Sequence, residues 1–377
     1  MKIIHIVGAR PNFMKVAPVM ESFDNYFSSG KHTGNFRQLL VHTGQHYDRE
    51  MSALFFEELG IPEPDINLQV GSGPHGQQTG RIMEAFEKVL IEEMPDLVLV
   101  VGDVNSTLAC AIDAKKLNIP VAHVEAGLRS RDMSMPEEIN RIVTDSIADL
   151  LFTTDRLADE NLKKEGVPDG KIHFVGNVMI DTLLKHKEKA LKLPTLETYG
   201  LLDSGGVAKP YTVVTIHRPG NVEIPEILSG IGEALAELGS KMPVLFPVHP
   251  RTRERFKKFK LERLFTDENG IQLLEPLGYL DFLNLMANSS LILTDSGGIQ
   301  EESTILSIPC LTVRPNTERP ITIEQGTNRL VDSDRNQIIQ AINNILENPK
   351  RTSKTPDLWD GKASQRIVKI IVDWFNS

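Results

Sequence analysis

The sequence predicts an α/β protein made of two doubly wound parallel-sheet domains, and three observations carry that prediction. Short apolar runs of strand length alternate with amphipathic stretches of helical period, the pattern of a parallel sheet covered on both faces. The chain has 377 residues, too many for one core, so two domains are expected. Conspicuous polar residues gather just after the carboxyl ends of the expected strands, the edge at which open parallel sheets bind ligands.

In the first half, strands are expected at 2–7, 38–42, 97–101, 121–124, 150–153 and 171–175. Arg10 and Lys15 follow the first, Gln45 and His46 the second, Asp103 the third, and Glu125 ends the fourth. A second series is expected at 211–216, 244–248, 271–274, 291–293 and 309–313, with His217, Arg218, His249, Arg251 and Ser296 just beyond strand ends. Between the series, 184–194 is charged and 195–210 holds Gly205 and Gly206, neither with a clear buried face, so the passage reads as a linker. The domains are accordingly 1–180 and 205–360. The end of the chain, 361–377, has apolar residues at helical spacing and is expected to pack back on the first domain. If the two carboxyl edges face each other, the polar residues converge on one interdomain active-site cleft.

Hydrophobic residues make up 40% and charged residues 24%, as in a soluble globular protein. The formal net charge of −10 argues against nucleic acid or an anionic membrane as partner. The apolar N-terminal run is too short for a signal peptide, and no later run approaches the roughly 18 apolar residues of a membrane span, so a cytoplasmic location is expected. Cys110 and Cys310 have no C-x-x-C partner and read as buried free thiols.

The stretch 291–302 reads as a strand, a turn at Asp295-Ser296-Gly297-Gly298, and the first turn of a helix. Two glycines let backbone N–H groups approach an anion, with the positive end of the helix dipole behind them. The alternative is an ordinary turn with Ser296 as N-cap. Glu302 lies one helical turn in, where a carboxylate can accept hydrogen bonds from a ribose diol. The literal G-x-G-x-x-G at 71–76 follows a polar-apolar alternation and contains Pro74, so no nicotinamide cofactor is expected. His42, His46 and Asp48 have metal-like spacing but sit near a turn, where hydrogen bonding is favoured; no metal is expected.

Three carboxylates are informative together. Asp103 leaves a strand at Gly102, as an N-cap or as a group aimed at a ligand. Glu125 ends an apolar strand, as an acid/base or as the partner of Arg129 or Arg131. Glu137 and Glu138 open a helix at Pro136, where the dipole favours acids in any case. Three such groups at one sheet edge, opposite His217 and Arg218 of the other half, suit proton transfer to and from carbon and a leaving-group oxygen. Arg10, Lys15, His217, His249, Arg251, Arg253, Arg314 and Arg319 form a cationic set suited to a diphosphate, with Arg253 and Arg314 read as solvated surface residues.

Gly8-Ala-Arg-Pro-Asn-Phe-Met-Lys15, Val101-Gly-Asp-Val-Asn-Ser-Thr107, His123-Val-Glu-Ala-Gly-Leu-Arg129, Pro136-Glu-Glu-Ile-Asn-Arg141, Pro247-Val-His-Pro250, Leu293-Thr-Asp-Ser-Gly-Gly-Ile-Gln-Glu-Glu302 and Thr317-Glu-Arg-Pro320 occur in that order. Together they resemble the non-hydrolysing UDP-N-acetylglucosamine 2-epimerases. The resemblance implies two Rossmann-like domains in the GT-B arrangement, a UDP-sugar substrate, no cofactor, and a homodimer. It implies that Asp103, Glu125, Glu137 and His217 are catalytic. It implies that Arg10, Lys15, Ser296, Gly297, Gly298, Glu302 and Arg319 hold UDP, with Phe282 near the uracil and Leu277 offering main-chain contacts.

The implied reaction is anti elimination of UDP to a 2-acetamidoglucal, then re-addition with the proton returned to the opposite face of C2. The product, UDP-N-acetylmannosamine, would feed surface polysaccharide. Two departures stand out. Asp48 occupies a position where many bacterial members have Gln, and no arginine lies around 71–76, so the resemblance does not carry over the activator site of some bacterial members. The second departure is Arg218-Pro219-Gly220-Asn221 after His217, where many relatives have a different basic and polar run; this version, with Thr43-Gly-Gln-His and Leu128-Arg-Ser130, is also similar to epimerases of UDP-2,3-diacetamido-uronic acids. A hydrolysing 2-epimerase, a GT-B glycosyltransferase and a non-catalytic nucleotide-sugar sensor are the remaining alternatives.

Overall fold

A computed structural model describes residues 1–29, 35–44, 58–348 and 353–377, with the side chain of Arg10 set aside. Gln45, His46 and Asp48 therefore lie outside the described residues.

The chain divides into two compact units, Met1–Lys185 with Asp357–Ser377, and His186–Pro356. Each is organised on one all-parallel sheet. The first holds β1 (Lys2–Val7), β2 (Arg37–His42), β3 (Ile66–Asn67), β4 (Leu97–Val101), β5 (Val121–Ala126), β6 (Leu150–Thr153) and β7 (Ile172–Phe174), in the order β3-β2-β1-β4-β5-β6-β7. The second holds β8 (Thr212–Thr215), β9 (Val244–Pro247), β10 (Ile271–Leu274), β11 (Leu291–Thr294), β12 (Cys310–Val313) and β13 (Asn328–Val331), in the order β10-β9-β8-β11-β12-β13. In both, the order reverses between two central strands, β1 with β4 and β8 with β11. The connections leave those strands in opposite directions, which opens a crevice at their carboxyl ends.

The central strands are apolar on both faces because helices cover both: every residue of β4 is buried, as are Ile3, Ile4, Ile6 and Val7 of β1. Ile4, Phe86, Val98, Val100 and Cys110 share one core, and Val214, Leu235, Phe246, Leu293 and Ile338 the other. Cys110 and Cys310 are both buried, and burial raises both thiols, Cys310 to about 11. The strands anticipated from apolar runs are all present, with ends moved by one or two residues. Strands β3 and β13 were not anticipated. Both are edge strands: β13 starts with the polar pair Asn328-Arg329, and β3 has only two residues, Ile66–Asn67.

The expected linker needs correction. Residues 184–191 complete the helix Val178–Leu191, and Thr195–Thr198 forms a further helical turn. Leu183, His186 and Ala190 are buried at helical spacing among lysines that mask the pattern. The terminal helix Ala363–Asn376 belongs to the first unit, packs against the helix Arg10–Ser28, and starts at the Asp181 carboxylate, which accepts from Ala363 N (3.1 Å) and Ser364 N (2.7 Å). Among the described residues no helix is long and apolar enough to cross a membrane.

Candidate active site

In the first unit the expected residues gather at the reversal between β1 and β4. The turn after β1 is tied to the end of β4 by Asn12, whose Oδ1 accepts from Gly8 N (3.1 Å) and Ala9 N (2.9 Å) while Nδ2 donates to Val101 O (3.0 Å). Gly8 has no room for a side chain: a Cβ there would stand 2.0 Å from Ser106 Oγ. The helix Arg10–Ser28 then carries Lys15 back over the Gly102 turn.

Lys15 Nζ is 2.6 Å from Glu125 Oε2, and both side chains are buried. Arg129 and Arg131, the partners considered from the sequence, engage other groups. Arg129 is engaged by Asp145 (2.7 Å) and Glu165 (2.6 Å), and Arg131 turns to Glu165 and Asn161. Glu125 also has φ +73°, and the pairing of β5 with β6 shifts register between Val124 and Ala126. A left-handed glutamate at a bulge is a strained conformation of the kind that concentrates at functional sites.

Asp103 is not the N-cap of the helix Asn105–Lys116; Val104 holds that position. Its carboxylate instead meets Arg141, 3.0 Å from Nη2 to Oδ2, and remains partly exposed. Arg141 is buried and also pairs with Glu138, whose carboxylate accepts from Ser130 N (2.9 Å) and Arg131 N (2.9 Å). Of the two acids in that first turn, Glu138 is thus buried in structural bonds, while Glu137 is only partly buried.

Behind these groups His123 spans Asp145 Oδ1 (2.7 Å at Nδ1) and Gly102 O (2.8 Å at Nε2). Burial alone would raise the Asp145 carboxyl, but His123 and Arg129 outweigh it and hold it below its ordinary value. Arg141, His123 and Asp145 lie within the motifs or just beyond them, yet nothing in their spacing shows that they brace the Asp103 turn.

In the second unit the reversal between β8 and β11 places His217 beside the glycine turn, on neighbouring strand ends. Asp295 joins them. Its fully buried carboxylate accepts from His217 N (3.0 Å), Arg218 N (2.8 Å) and Asn221 Nδ2 (3.0 Å) through Oδ2, and lies 2.9 Å from His217 Nδ1 through Oδ1. Burial would raise this carboxyl, but the contacts from His217, Arg218 and Asn221 hold it below its ordinary value. From sequence Asp295 is only a turn residue, because its partners lie about 75 residues earlier in the chain.

Ser296 stands at the N-cap of the helix Gly297–Leu306 but makes no side-chain capping bond there, so the ordinary capped turn is not what is built. Behind Gly297 lies Arg319: a Cβ on Gly297 would meet Arg319 Nη1 at 2.5 Å and Glu318 Oε1 at 2.8 Å. Arg319 is buried, pairs with Glu318, and is 2.9 Å from Glu301 Oε1 through Nε. Arg314, expected to be a solvated surface residue, is buried and paired with Glu318 at 2.8 Å. The segment following β12 folds back under the turn, which the local sequence does not reveal. Arg253 is partly exposed beside Glu275, and His249 and Arg251 are exposed.

Leu277 and Phe282, both partly exposed, flank the start of the helix Tyr279–Asn288 after β10, at the same sheet edge. Tyr279 of that helix donates its hydroxyl to Glu302 Oε1 (2.9 Å). Burial raises the Glu302 carboxyl to about 7, with the Tyr279 hydrogen bond opposing and Glu301 adding to the rise. If Glu302 holds a ribose diol of UDP, as the resemblance implies, it couples nucleoside binding to pH. A ribose diol is better accepted by the carboxylate, so UDP affinity should rise as pH rises through about 7 and binding near neutrality should release a proton. Calorimetry in buffers of different ionisation enthalpy measures that proton, and its persistence in Glu302→Gln would refute the assignment. The same shift makes folding stability fall between about 4.5 and about 7, where the native state holds a proton that the unfolded chain has lost.

The comparison with known families decides the kinship: the model described as UDP-N-acetylglucosamine 2-epimerase matches residues 29–372. The chain belongs to that family. A Methanococcus maripaludis UDP-N-acetylglucosamine 2-epimerase homolog is 45% identical over 98% of this chain and 99% of its own. The Pseudomonas aeruginosa UDP-2,3-diacetamido-2,3-dideoxy-D-glucuronate 2-epimerase is 41% identical over 98% and 99%. A crystal structure of the Methanocaldococcus jannaschii UDP-GlcNAc 2-epimerase in complex with UDP-GlcNAc and UDP superposes with a TM-score of 0.89 at 43% identity, covering 99% of this chain and all of that one. The family is one of isomerases on a GT-B fold, and this 2-epimerase family member keeps its two parallel-sheet units.

Proposed function

We propose that this protein interconverts UDP-N-acetylglucosamine and UDP-N-acetylmannosamine without net hydrolysis. The observation that carries the reading is the strained, buried Glu125 paired with Lys15 at the carboxyl edge of the first sheet, next to Asp103. In the elimination, one carboxylate takes the C2 proton, the C1–O bond breaks with its electrons leaving on UDP, and a C1–C2 double bond forms. Re-addition reverses the electron flow and returns a proton to the other face of C2. Asp103, Glu125 and Glu137 supply the acids and bases that two faces require.

His217, the turn Ser296-Gly297-Gly298, and Arg10 meet the growing charge on the diphosphate. Glu302 accepts from the ribose, Phe282 and Leu277 serve the uracil, and Arg319 backs the turn from behind Gly297. No cofactor enters this scheme. The test is incubation with UDP-N-acetylglucosamine in heavy water: deuterium should appear at C2, together with a second UDP-sugar. Absence of both refutes the reading, and stoichiometric free UDP would point to a hydrolysing enzyme.

A second reading, an epimerase of UDP-2,3-diacetamido-uronic acid, is supported by the 41% identity to the Pseudomonas enzyme. The same exchange measured on that substrate separates the two by relative kcat/KM. The reading includes a cytoplasmic homodimer. Sedimentation equilibrium measures the mass and tests the dimer.

A further inference from the structure

We infer that Asp295 is a positioning residue that fixes a proton on His217 Nδ1 and thereby makes Nε2 the working nitrogen. The inference rests on the reading that His217 acts on the UDP leaving group. Three features of the geometry support it. The Asp295 carboxylate accepts at Nδ1: His217 N, Arg218 N and Asn221 Nδ2 all donate to it and hold it below its ordinary value, so it is ionised near neutrality and has no proton of its own to give. The acceptor is itself immobilised: it is fully buried, its backbone N donates to Thr215 O (3.1 Å), and its carbonyl receives Arg218 Nε (3.0 Å). Asn221 is held in turn by Ser333 Oγ (2.7 Å) and by its own bond to Val313 O (3.0 Å), so the support reaches the ends of β12 and β13.

By contrast the His217 side chain is about half exposed at 51%, with the ring edge opposite Asp295 turned away from the carboxylate. A histidine held in this way has one tautomer. Nε2 is then the atom that takes up a proton from solvent water, shares it with the departing β-phosphate oxygen as the C1–O bond breaks, and takes it back on re-addition. No net proton is consumed. The same division of labour, one nitrogen oriented by a buried carboxylate and the other doing chemistry, operates in serine hydrolase triads.

The test has a spectroscopic arm and a kinetic arm. Long-range proton–nitrogen correlation spectra of the full chain, labelled at histidine and free of substrate, report the tautomer, with the His217 signals assigned by their loss in His217→Gln. A proton on Nδ1 is expected, and a neutral ring protonated only on Nε2 overturns the inference. In Asp295→Asn the amide can donate to Nδ1, so the tautomer should invert and kcat should fall on the order of 10³-fold or more, with KM changed by less than about threefold. Wild-type kcat in Asp295→Asn overturns the inference. If that variant does not fold, the wild-type spectrum decides alone. Because the spectrum needs no substrate, its failure is distinct from failure of C2 exchange, which would overturn the reading of the reaction.

Discussion

Glu125→Gln is expected to abolish exchange at C2 while leaving UDP bound. Loss of a general acid or base costs about 10²–10⁴ in rate, and under the proposed function Glu125 handles the carbon-bound proton, so the upper end of that range is expected. UDP binding should survive, since Ser296, Gly297, Gly298 and Glu302 belong to the other unit. The substitution also has a structural cost. It leaves Lys15 buried without its counter-ion, and removing one member of a buried pair destabilises by roughly 3–5 kcal/mol.

Adding Lys15→Met separates the two effects. A buried ion pair replaced as a unit is often close to neutral, so the double variant should recover most of the lost stability, to within about 1 kcal/mol of the parent. It should recover none of the exchange. Thermal unfolding and proton exchange at C2, measured on the three variants, give the cycle. Exchange restored in the double variant would mean that Glu125 is only a structural partner of Lys15.

What was legible in the sequence was the sheet and its edge. Apolar runs such as Leu97–Val101 have no polar residue to leave in water, so they identify buried parallel strands without a partner sequence. Strand ends then place Asp103 and Glu125 at one edge of the first sheet, and His217 and Ser296 at one edge of the second, since parallel strands align their carboxyl ends. The supporting contacts were not legible. Asp295 with His217, Arg141 with Asp103, and Tyr279 with Glu302 join residues 78, 38 and 23 positions apart. Each depends on which helix packs over which strand, information that linear spacing does not hold. Lys15 shows the same limit. Its type suits a phosphate, but the helix after β1 delivers it to Glu125, and a carboxylate at 2.6 Å is its observed partner. Arg314 was misread for a related reason, because an arginine just beyond a strand appears solvated until the following segment is seen to fold under it.

Gly297→Ala is the second large effect expected, through shape alone. No left-handed φ requires glycine at 297; the requirement is space. A methyl group there would lie 2.5 Å from Arg319 Nη1, within the van der Waals contact distance. An exposed arginine would swing aside at little cost. Arg319 cannot, because Glu301 and Glu318 hold it from two sides and Glu318 is held by Arg314. Either the guanidinium leaves its carboxylates, or the turn moves outward into the space that a diphosphate would occupy. The first outcome costs about 1–3 kcal/mol of overpacking, and the second removes N–H groups from their aim at the anion. UDP affinity should therefore fall on the order of 100-fold, about 2.8 kcal/mol, the value of one or two lost charge-assisted hydrogen bonds. Gly80→Ala, in the middle of the helix His75–Glu93 with nothing within 4 Å of the added methyl, is the control and should stabilise slightly. Calorimetric titration of UDP into both variants makes the comparison. Unchanged affinity in Gly297→Ala would show that the turn carries no phosphate, and would leave the helix Gly297–Leu306 as scaffold for Glu302 alone.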